Sequence, residues 1–481
     1  MKIFANKRKL LVMIPPVLII GLLTISGLAT TWASFTDQET GADNSFQAWN
    51  ASEWQQTTQV DFEAGVNTQL DTSSSAGDVM LATFSNTVTD TFDDETNIAT
   101  KSNIFVTGGQ VKLTSSGGTE TLRPNAAGDE TSLGYQSPES GYHWDKVDEA
   151  VADEDSTHVS TYSVTYQRDL YNLPVHTIES GTINSITIYF RVSTDFGSAD
   201  VKPSQKSGTT VTDGTAQSQG AGGWSTKSQT YTTNPATGSA YTWSEINALQ
   251  IGVSLKHALE EDINCTQVYV EVDYSVYNSP GTLTSTNLLS GQSVASINSF
   301  GYNAPAIPSG TNLKVQFSQD NINWYDSAGA SGGWDTLSQG THSIGLSSLG
   351  WSGANYYYKM QFTSDGTYTP VLDEISVNYS SYYTSGTVAS QVLDTGLPGA
   401  VWDGLFWDET LESATDITFE VRASDTSFNA SDANPPWNDV GSTSPVISGL
   451  PTGRYIQWRA TLTTTNTANT PTLHEVRVYH Y

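Results

Sequence analysis

Apolar and polar residues alternate with a period of two along much of this chain, the pattern of strands with one buried and one wet face. The cleanest cases are residues 183–192 (Ile-Asn-Ser-Ile-Thr-Ile-Tyr-Phe-Arg-Val) and 267–274 (Gln-Val-Tyr-Val-Glu-Val-Asp-Tyr). Residues 103–113 read as a strand, a Gly108-Gly109 turn and a second strand. One short helix is predicted at 242–249, where Thr242 can cap and Glu245 closes a capping box. Before residue 87 the texture differs. Residues 51–85 are polar and rich in Gln, Thr and Ser, and 71–78 (Asp-Thr-Ser-Ser-Ser-Ala-Gly-Asp) read as a linker. Residues 87–278 are expected to form one β-sandwich of about ten strands.

The last two hundred residues contain a repeat. Gly281-Thr282-Leu283 returns as Gly386-Thr387-Val388, and residues 311–318 return as 415–422. Residues 358–362 are matched with 456–460, and the closing run that starts at Thr369-Pro370 with the run that starts at Thr470-Pro471. Four matched strands in the same order predict two modules of about a hundred residues, 279–380 and 381–481. A proline at the start of a strand costs least, because its missing N–H falls outside the ladder. The hairpin at 103–113 looks like the first hairpin of laminin-G-like or concanavalin-like jelly rolls. The repeated pair resembles the galactose-binding-like or carbohydrate-binding jelly rolls of large surface proteins. The fold class expected is all-β, with tandem jelly-roll-like sandwiches.

The N-terminus has its own pattern. Lys2, Lys7, Arg8 and Lys9 precede an apolar run from Leu10 to Leu28, followed by small residues at Thr31 and Ala33. This is a secretory signal, 1–33, with its cut between Ala33 and Ser34. The apolar run approaches spanning length, about 20 residues, so an uncleaved membrane anchor is the competing reading. Pro15 and Pro16 count against the anchor, since they break a helix in mid-membrane. The residues around and after the cut, Trp32-Ala33-Ser34-Phe35-Thr36-Asp37 and then Asn44, Phe46 and Ala48, resemble the start of proteins carrying SipW-dependent signal peptides. That is the TasA/camelysin group of biofilm-fibre and cell-surface proteins. The resemblance covers about the first fifty residues, and Trp49-Asn50 stands where the group has Gly-Thr-Leu. It implies export and surface assembly. Phe35, Phe46 and Ala48 would lie on a strand donated to a neighbouring subunit, with 34–86 as donor strand plus polar linker.

Charge narrows the function classes. There are 20 basic and 50 acidic side chains, a net charge of −30. Such a balance argues against nucleic acid, whose phosphates require basic grooves. Aromatic residues make up 11% of the chain, with 13 Trp and 23 Tyr, so the polar composition does not signal disorder. Cys265 is the sole cysteine, so no internal disulfide can form, and it is read as a small buried hydrophobe.

Candidate chemistry follows from residue type. None of the seven His stands in a metalloprotease spacing, and no nucleophile elbow or phosphate loop occurs. In so acidic a chain no single glycosidase pair stands out. Calcium is the expected ion, because hard cations take several carboxylate oxygens from loops. Asp145, Asp148, Asp153 and Asp155 offer such a loop, as do Asp90, Asp93 and Asp94. Glycan stacking is assigned to Trp334 and Trp407, out of a set that includes Trp324, Trp351, Trp402 and Trp437. Asn50, Asn264, Asn378 and Asn429 begin glycosylation sequons.

The chain is therefore expected to be a secreted or cell-surface structural protein, not an enzyme. It would build a filament, pilus or coat from copies of itself or other fibre subunits, and touch the membrane only through its signal. A glycan-binding adhesin is the alternative and a polysaccharide-active enzyme the second alternative.

Overall fold

A computed structural model describes residues 51–178 and 180–481. The signal segment, the Ala33–Ser34 cut and the strand-donation residues Phe35, Phe46 and Ala48 lie outside the described residues. The chain is all-β, with 52% strand against 4% helix.

Its strands form three sandwiches, and two of them are discontinuous in sequence. We call them terminal (51–82 with 383–481), middle (83–114 with 278–382) and inner (115–277), after their order along the chain. The terminal sandwich has a sheet of Ser52–Gln56, Thr472–His480 and Trp402–Thr410. Its second sheet runs Val66–Thr68, Ser385–Ala389, Tyr455–Thr464, Thr415–Ser424 and Asn438–Gly441.

The middle sandwich repeats this wiring. Thr83–Asp90, Glu374–Tyr382 and Ser296–Ala304 make one sheet, widened by Gly340–Gly345. Ile98–Ser102, Gly281–Ser285, Tyr357–Thr363, Asn312–Ser318 and Asp335–Thr336 make the other.

The inner sandwich follows the same order. Ser115–Leu122, Ile263–Tyr277, Thr182–Ser193 and Ser225–Tyr231 face Ala126–Thr131, Gln167–Asn172, Gln250–His257, Ser198–Ser207 and Thr210–Asp213. All these pairs are antiparallel.

Each sandwich also carries a hairpin between its second and third segments: Leu70–Asp71 with Val79–Leu81, Ile104–Thr107 with Gln110–Leu113, and Tyr135–Ser137 with His158–Thr161. Directly after this hairpin the terminal sandwich is interrupted by 83–382. The middle sandwich is interrupted at the same place by 115–277. In the inner sandwich only the turn 162–166 stands there. The seams match atom for atom. Ala82 N–H donates to the Gln69 carbonyl and Thr114 N–H to the Asn103 carbonyl, both at 2.9 Å. The chain returns beside its own departure point: Tyr383 N–H meets the Ala82 carbonyl at 3.0 Å and Asn278 N–H the Thr114 carbonyl at 2.9 Å. An insert whose ends are already neighbours adds little closure entropy, because that cost grows only with the logarithm of loop length.

The matched motifs now have causes. Thr470 Oγ1 accepts the Leu81 N–H at 2.9 Å, and Thr369 Oγ1 accepts the Leu113 N–H at 3.0 Å. The threonine of each Thr-Pro step therefore pins the hairpin. A Cβ at Gly281 would stand 2.4 Å from Leu113, and one at Gly386 2.6 Å from Leu70, so the hairpin packs where only glycine leaves room.

These pairings revise the expected boundaries. Residues 51–82 are not a linker but strands of the terminal sandwich. Residues 87–113 belong with 279–382 and not with the sandwich expected at 87–278. The third matched strand is also displaced by two residues. Phe362 pairs with Leu313 as Leu462 pairs with Ile417, so Tyr358 corresponds to Trp458 and Lys359 to Arg459. A slip of two keeps every side chain on its face, so alternation alone does not detect it.

The cores are separate. Phe300, Phe317, Tyr358 and Phe362 centre the middle one, and Ile188, Phe190, Val253 and Val270 the inner one. In the terminal sandwich Phe62 and Trp458 are fully buried and meet edge-on at 6.4 Å. Phe62 is presented by the short helix Gln59–Glu63, closed by a Thr58–Asp61 capping box. The helix expected from Thr242 and Glu245 is present as Trp243–Asn247, with both capping-box bonds. Cys265 is buried, and burial pushes its thiol up to about 12.

Candidate functional site

A concavity of about 500 Å³ lies in the inner sandwich beside the hairpin Tyr135–Ser137 and the one-turn helix His143–Lys146. Its walls include Tyr135, Tyr142, Trp144 and Tyr171. Tyr135 and Tyr142 are 57% and 66% exposed, unusual for such large apolar surfaces. Tyr142 and Trp144 lie nearly parallel, their planes 16° apart and their centroids 6.4 Å apart. The helix start sets this pair, because the Asp145 carboxylate accepts the Tyr142 N–H at 3.2 Å.

His143, between Tyr142 and Trp144 in sequence, turns inward. Its Nδ1 lies 2.5 Å from Oδ2 of Asp169, which is fully buried. Asp169 is held from two further sides, by the Tyr171 hydroxyl at 3.2 Å and the Leu133 N–H at 2.9 Å. Burial, then the Asp169 charge, keeps the Tyr171 phenol well above its usual range, so it serves as a donor. An ionised carboxylate can only accept, so Nδ1 of His143 donates to Asp169 and the bond fixes the orientation of the ring. The arrangement offers flat apolar faces and an oriented imidazole.

A second groove, about 400 Å³, lies on the outward face of the middle sandwich's second sheet, lined by Gln316, Ile322, Trp324, Trp334 and Lys359. Lys359 follows from the alternation of Tyr357–Thr363, whose odd residues face out. Its Nζ stands 4.6 Å from the Trp324 ring and 5.4 Å from the Trp334 ring. Burial lowers the pKa of this ammonium. Trp324 is presented by a turn that Asp320 ties, accepting the N–H groups of Ile322 and Asn323 at 2.9 and 2.7 Å. These and its other hydrogen bonds hold the Asp320 carboxyl far below the ordinary range.

The tryptophans assigned from sequence thus divide. Trp334 lines a groove together with Trp324. Trp407 does not: it is 6% exposed and stacks on Phe419 at 4.2 Å, inside the terminal core. Trp402 is buried too, and Trp351 packs against the middle core. Trp437 lies between two guanidiniums, Arg422 at 4.3 Å and Arg459 at 4.6 Å. Arg422 went unnoticed in the sequence. It is fully buried and donates to the carbonyls of Ala430 at 3.0 Å and of Asn429 and Pro435 at 3.3 Å.

The acidic residues assigned to calcium do not converge. Asp145 caps Tyr142 and pairs with Lys146, while Asp155 accepts the Trp224 indole N–H at 2.9 Å. Asp153 shares the Thr157 hydroxyl with Glu149, at 2.9 and 2.7 Å. Asp148 is partly buried, which raises its pKa. Asp90, Asp93 and Asp94 accept from Phe92 N–H, Thr91 Oγ1 and Thr96 N–H, closing one local turn. Among the described residues no group of three or more His, Cys, Asp or Glu side chains could hold a metal ion.

No family model and no curated protein matches this chain. Among solved structures it is similar to the N-terminal CBM22-1-CBM22-2 tandem domain of Paenibacillus barcinonensis Xyn10C. That match has 10% identity, covers 54% of this chain and 97% of the other, and has a TM-score of 0.21. A protein of Parabacteroides distasonis described as secreted matches at 6% identity over 68% and 99% of the two chains, with a TM-score of 0.21. A triple jelly-roll protein of an archaeal virus matches at 10% identity over 68% and 84%, with a TM-score of 0.12.

Proposed function

We propose that this chain is an exported, non-catalytic surface protein that binds glycan in the aromatic cleft of its inner sandwich. The carrying observation is the exposed Tyr135 and Tyr142 beside Trp144, with His143 lining the same cleft and fixed by buried Asp169. Pyranose rings present C–H faces that pack on aromatic faces, and their hydroxyls take hydrogen bonds from oriented polar groups. A cleft of about 500 Å³ lies within the size range of small-ligand sites. Export is supported by the basic start, the apolar run and the small residues at the Ala33–Ser34 cut.

The test is a glycan array with residues 34–481, followed by calorimetry on the best ligand. Trp144→Ala and His143→Ala should each weaken binding by about tenfold or more in protein that still melts cooperatively, at a lowered temperature because Trp144 packs on the inner core and His143 pairs with buried Asp169. Absence of binding to every glycan, or full affinity in both variants, refutes the reading. Reducing-end release from the bound glycan would refute the non-catalytic part. Filament assembly, implied by the N-terminal resemblance, is tested on the same material: polymers seen by electron microscopy should vanish when 34–50 is deleted.

A further inference from the structure

The middle and terminal sandwiches share one framework, so each serves as a control for the other at equivalent positions. In the second sheet Gln316 pairs with Lys359, and Glu420 pairs with Arg459 at the same place in the ladder. Both cations lie over tryptophan, Trp324 and Trp334 in one case and Trp437 in the other. They differ in charge balance. Arg459 is neutralised by its cross-strand partner, with Nε 2.7 Å from the Glu420 carboxylate. Lys359 faces a neutral amide, and that amide is itself engaged, donating to the Gly333 carbonyl at 2.7 Å. No carboxylate pairs with Lys359 among the described residues, although the chain has 50 acidic side chains to 20 basic ones.

We propose that the Trp324–Trp334–Lys359 groove is a second binding site, separate from the inner cleft, for a saccharide unit carrying a negative charge. The anion would take the place against Lys359 that Glu420 takes against Arg459. The indole rings supply the faces on which the sugar packs. An ammonium partly removed from water, with no counter-charge of its own, gains most from an anion that arrives with its ligand. A carboxylated or a sulfated sugar carries that chemistry, and the two are separated by experiment.

The experiment uses the whole chain from residue 34, followed by tryptophan fluorescence and calorimetry at low salt. The probes are tetragalacturonate, its fully methyl-esterified form and a sulfated galactan tetramer. At least one charged tetramer should bind, about tenfold or more tighter than the ester, with affinity falling as salt rises. Carboxylate and sulfate sources are told apart by which tetramer binds. Lys359→Met should remove the charge preference. Gln316→Glu, which installs the terminal sandwich's own arrangement, should weaken the charged tetramer by about tenfold. Thermal melts check both folds, and should Gln316→Glu unfold, Lys359→Met decides alone. Trp144→Ala in the inner cleft should leave this binding unchanged, so failure of one site is distinguishable from failure of the other. Equal affinity for ester and acid, affinity within twofold in Lys359→Met, or no binding of either charged tetramer at millimolar concentration would overturn the proposal.

Discussion

Cutting residues 383–481 away from 51–82 should leave a polypeptide that does not fold, although it holds most of the terminal sandwich. The missing segment supplies Phe62, Val79 and Leu81, exposed by 0%, 0% and 1%, and an edge strand paired from Ser52 to Gln56. Burying each such side chain contributes about 1.5–3 kcal/mol, so their loss removes roughly 5–9 kcal/mol. The hole beside Trp458 adds to this. A domain of this size is stable by only about 5–15 kcal/mol, so little or nothing remains. Joining 51–82 to 383–481 through a few Gly and Ser residues, with 83–382 omitted, should restore a cooperative melt. The seam is already closed by the 3.0 Å bond from Tyr383 N–H to the Ala82 carbonyl. In that joined chain Phe62→Ala should cost about 3–5 kcal/mol, a fall of roughly 10–20 °C in melting temperature. Near-UV circular dichroism and calorimetry read both comparisons. A cooperative transition in 383–481 alone, at the temperature of the joined chain, would refute the nested assignment.

Further outcomes follow from single sites. Arg422→Met should destabilise the terminal sandwich by about 3 kcal/mol in denaturant titration, because the Ala430, Asn429 and Pro435 carbonyls lose their donor. Trp407→Ala should cost about 3–5 kcal/mol and leave ligand binding alone, whereas Trp334→Ala should leave the melt nearly unchanged. Burial pushes the Asp71 carboxyl up, but hydrogen bonds from Ser74 and Ser73 outweigh it and hold the group at about 2. Its contribution to stability should therefore be present above about pH 4 and be lost as pH falls toward 2, and Asp71→Asn should flatten that acid limb in melts recorded across pH. A small folded domain inserted after Val164, at the third copy of the seam, should lower the inner sandwich's melting temperature by only a few degrees, since each doubling of loop length costs about 0.6 kcal/mol.

The local features were legible because their causes are local. Alternation located the long strands, Thr242 and Glu245 announced a capped helix, and Gly108-Gly109 announced a hairpin. The nesting was not legible, because Ser52–Gln56 pairs with residues more than four hundred positions away and carries no mark of its partner. Phe62 stands with few apolar neighbours in a stretch rich in Gln, Thr and Ser, so the segment looked like a linker although its buried ring packs against Trp458. Trp407 looked exposed because a loop was expected where Trp402–Thr410 is a strand, and a register shift between Trp402 and Gly404 disturbs its alternation. His143 and Asp169 meet across 26 positions of sequence with no motif to announce them.

One framework used three times also shows where chemistry can vary without disturbing the fold. The loop after the fourth strand of the second sheet is the variable part. In the middle sandwich it runs from Ser318 to Asp335 and presents Trp324 and Trp334 over Lys359, which has no carboxylate partner among the described residues. In the terminal sandwich it runs from Ser424 to Asn438 and is tied down by Arg422, which donates to the loop's own carbonyls. In the inner sandwich it shrinks to Gly208-Thr209, with Gly208 at φ 58°, a left-handed turn that suits glycine. There the cleft is built instead around the hairpin Tyr135–Ser137, on the side where the other two copies accept an insert. The hairpin seam and the fourth-strand loop lie outside the buried ladders, so both tolerate change that the cores would not. The middle and terminal copies both keep a groove of about 400 Å³ over this sheet, at Trp324, Trp334 and Lys359 in one and at Trp437 and Arg459 in the other. The difference between them is one of loop side chains and charge pairing, which is why exchanging Gln316 for Glu is expected to convert one charge balance toward the other without refolding the strands beneath.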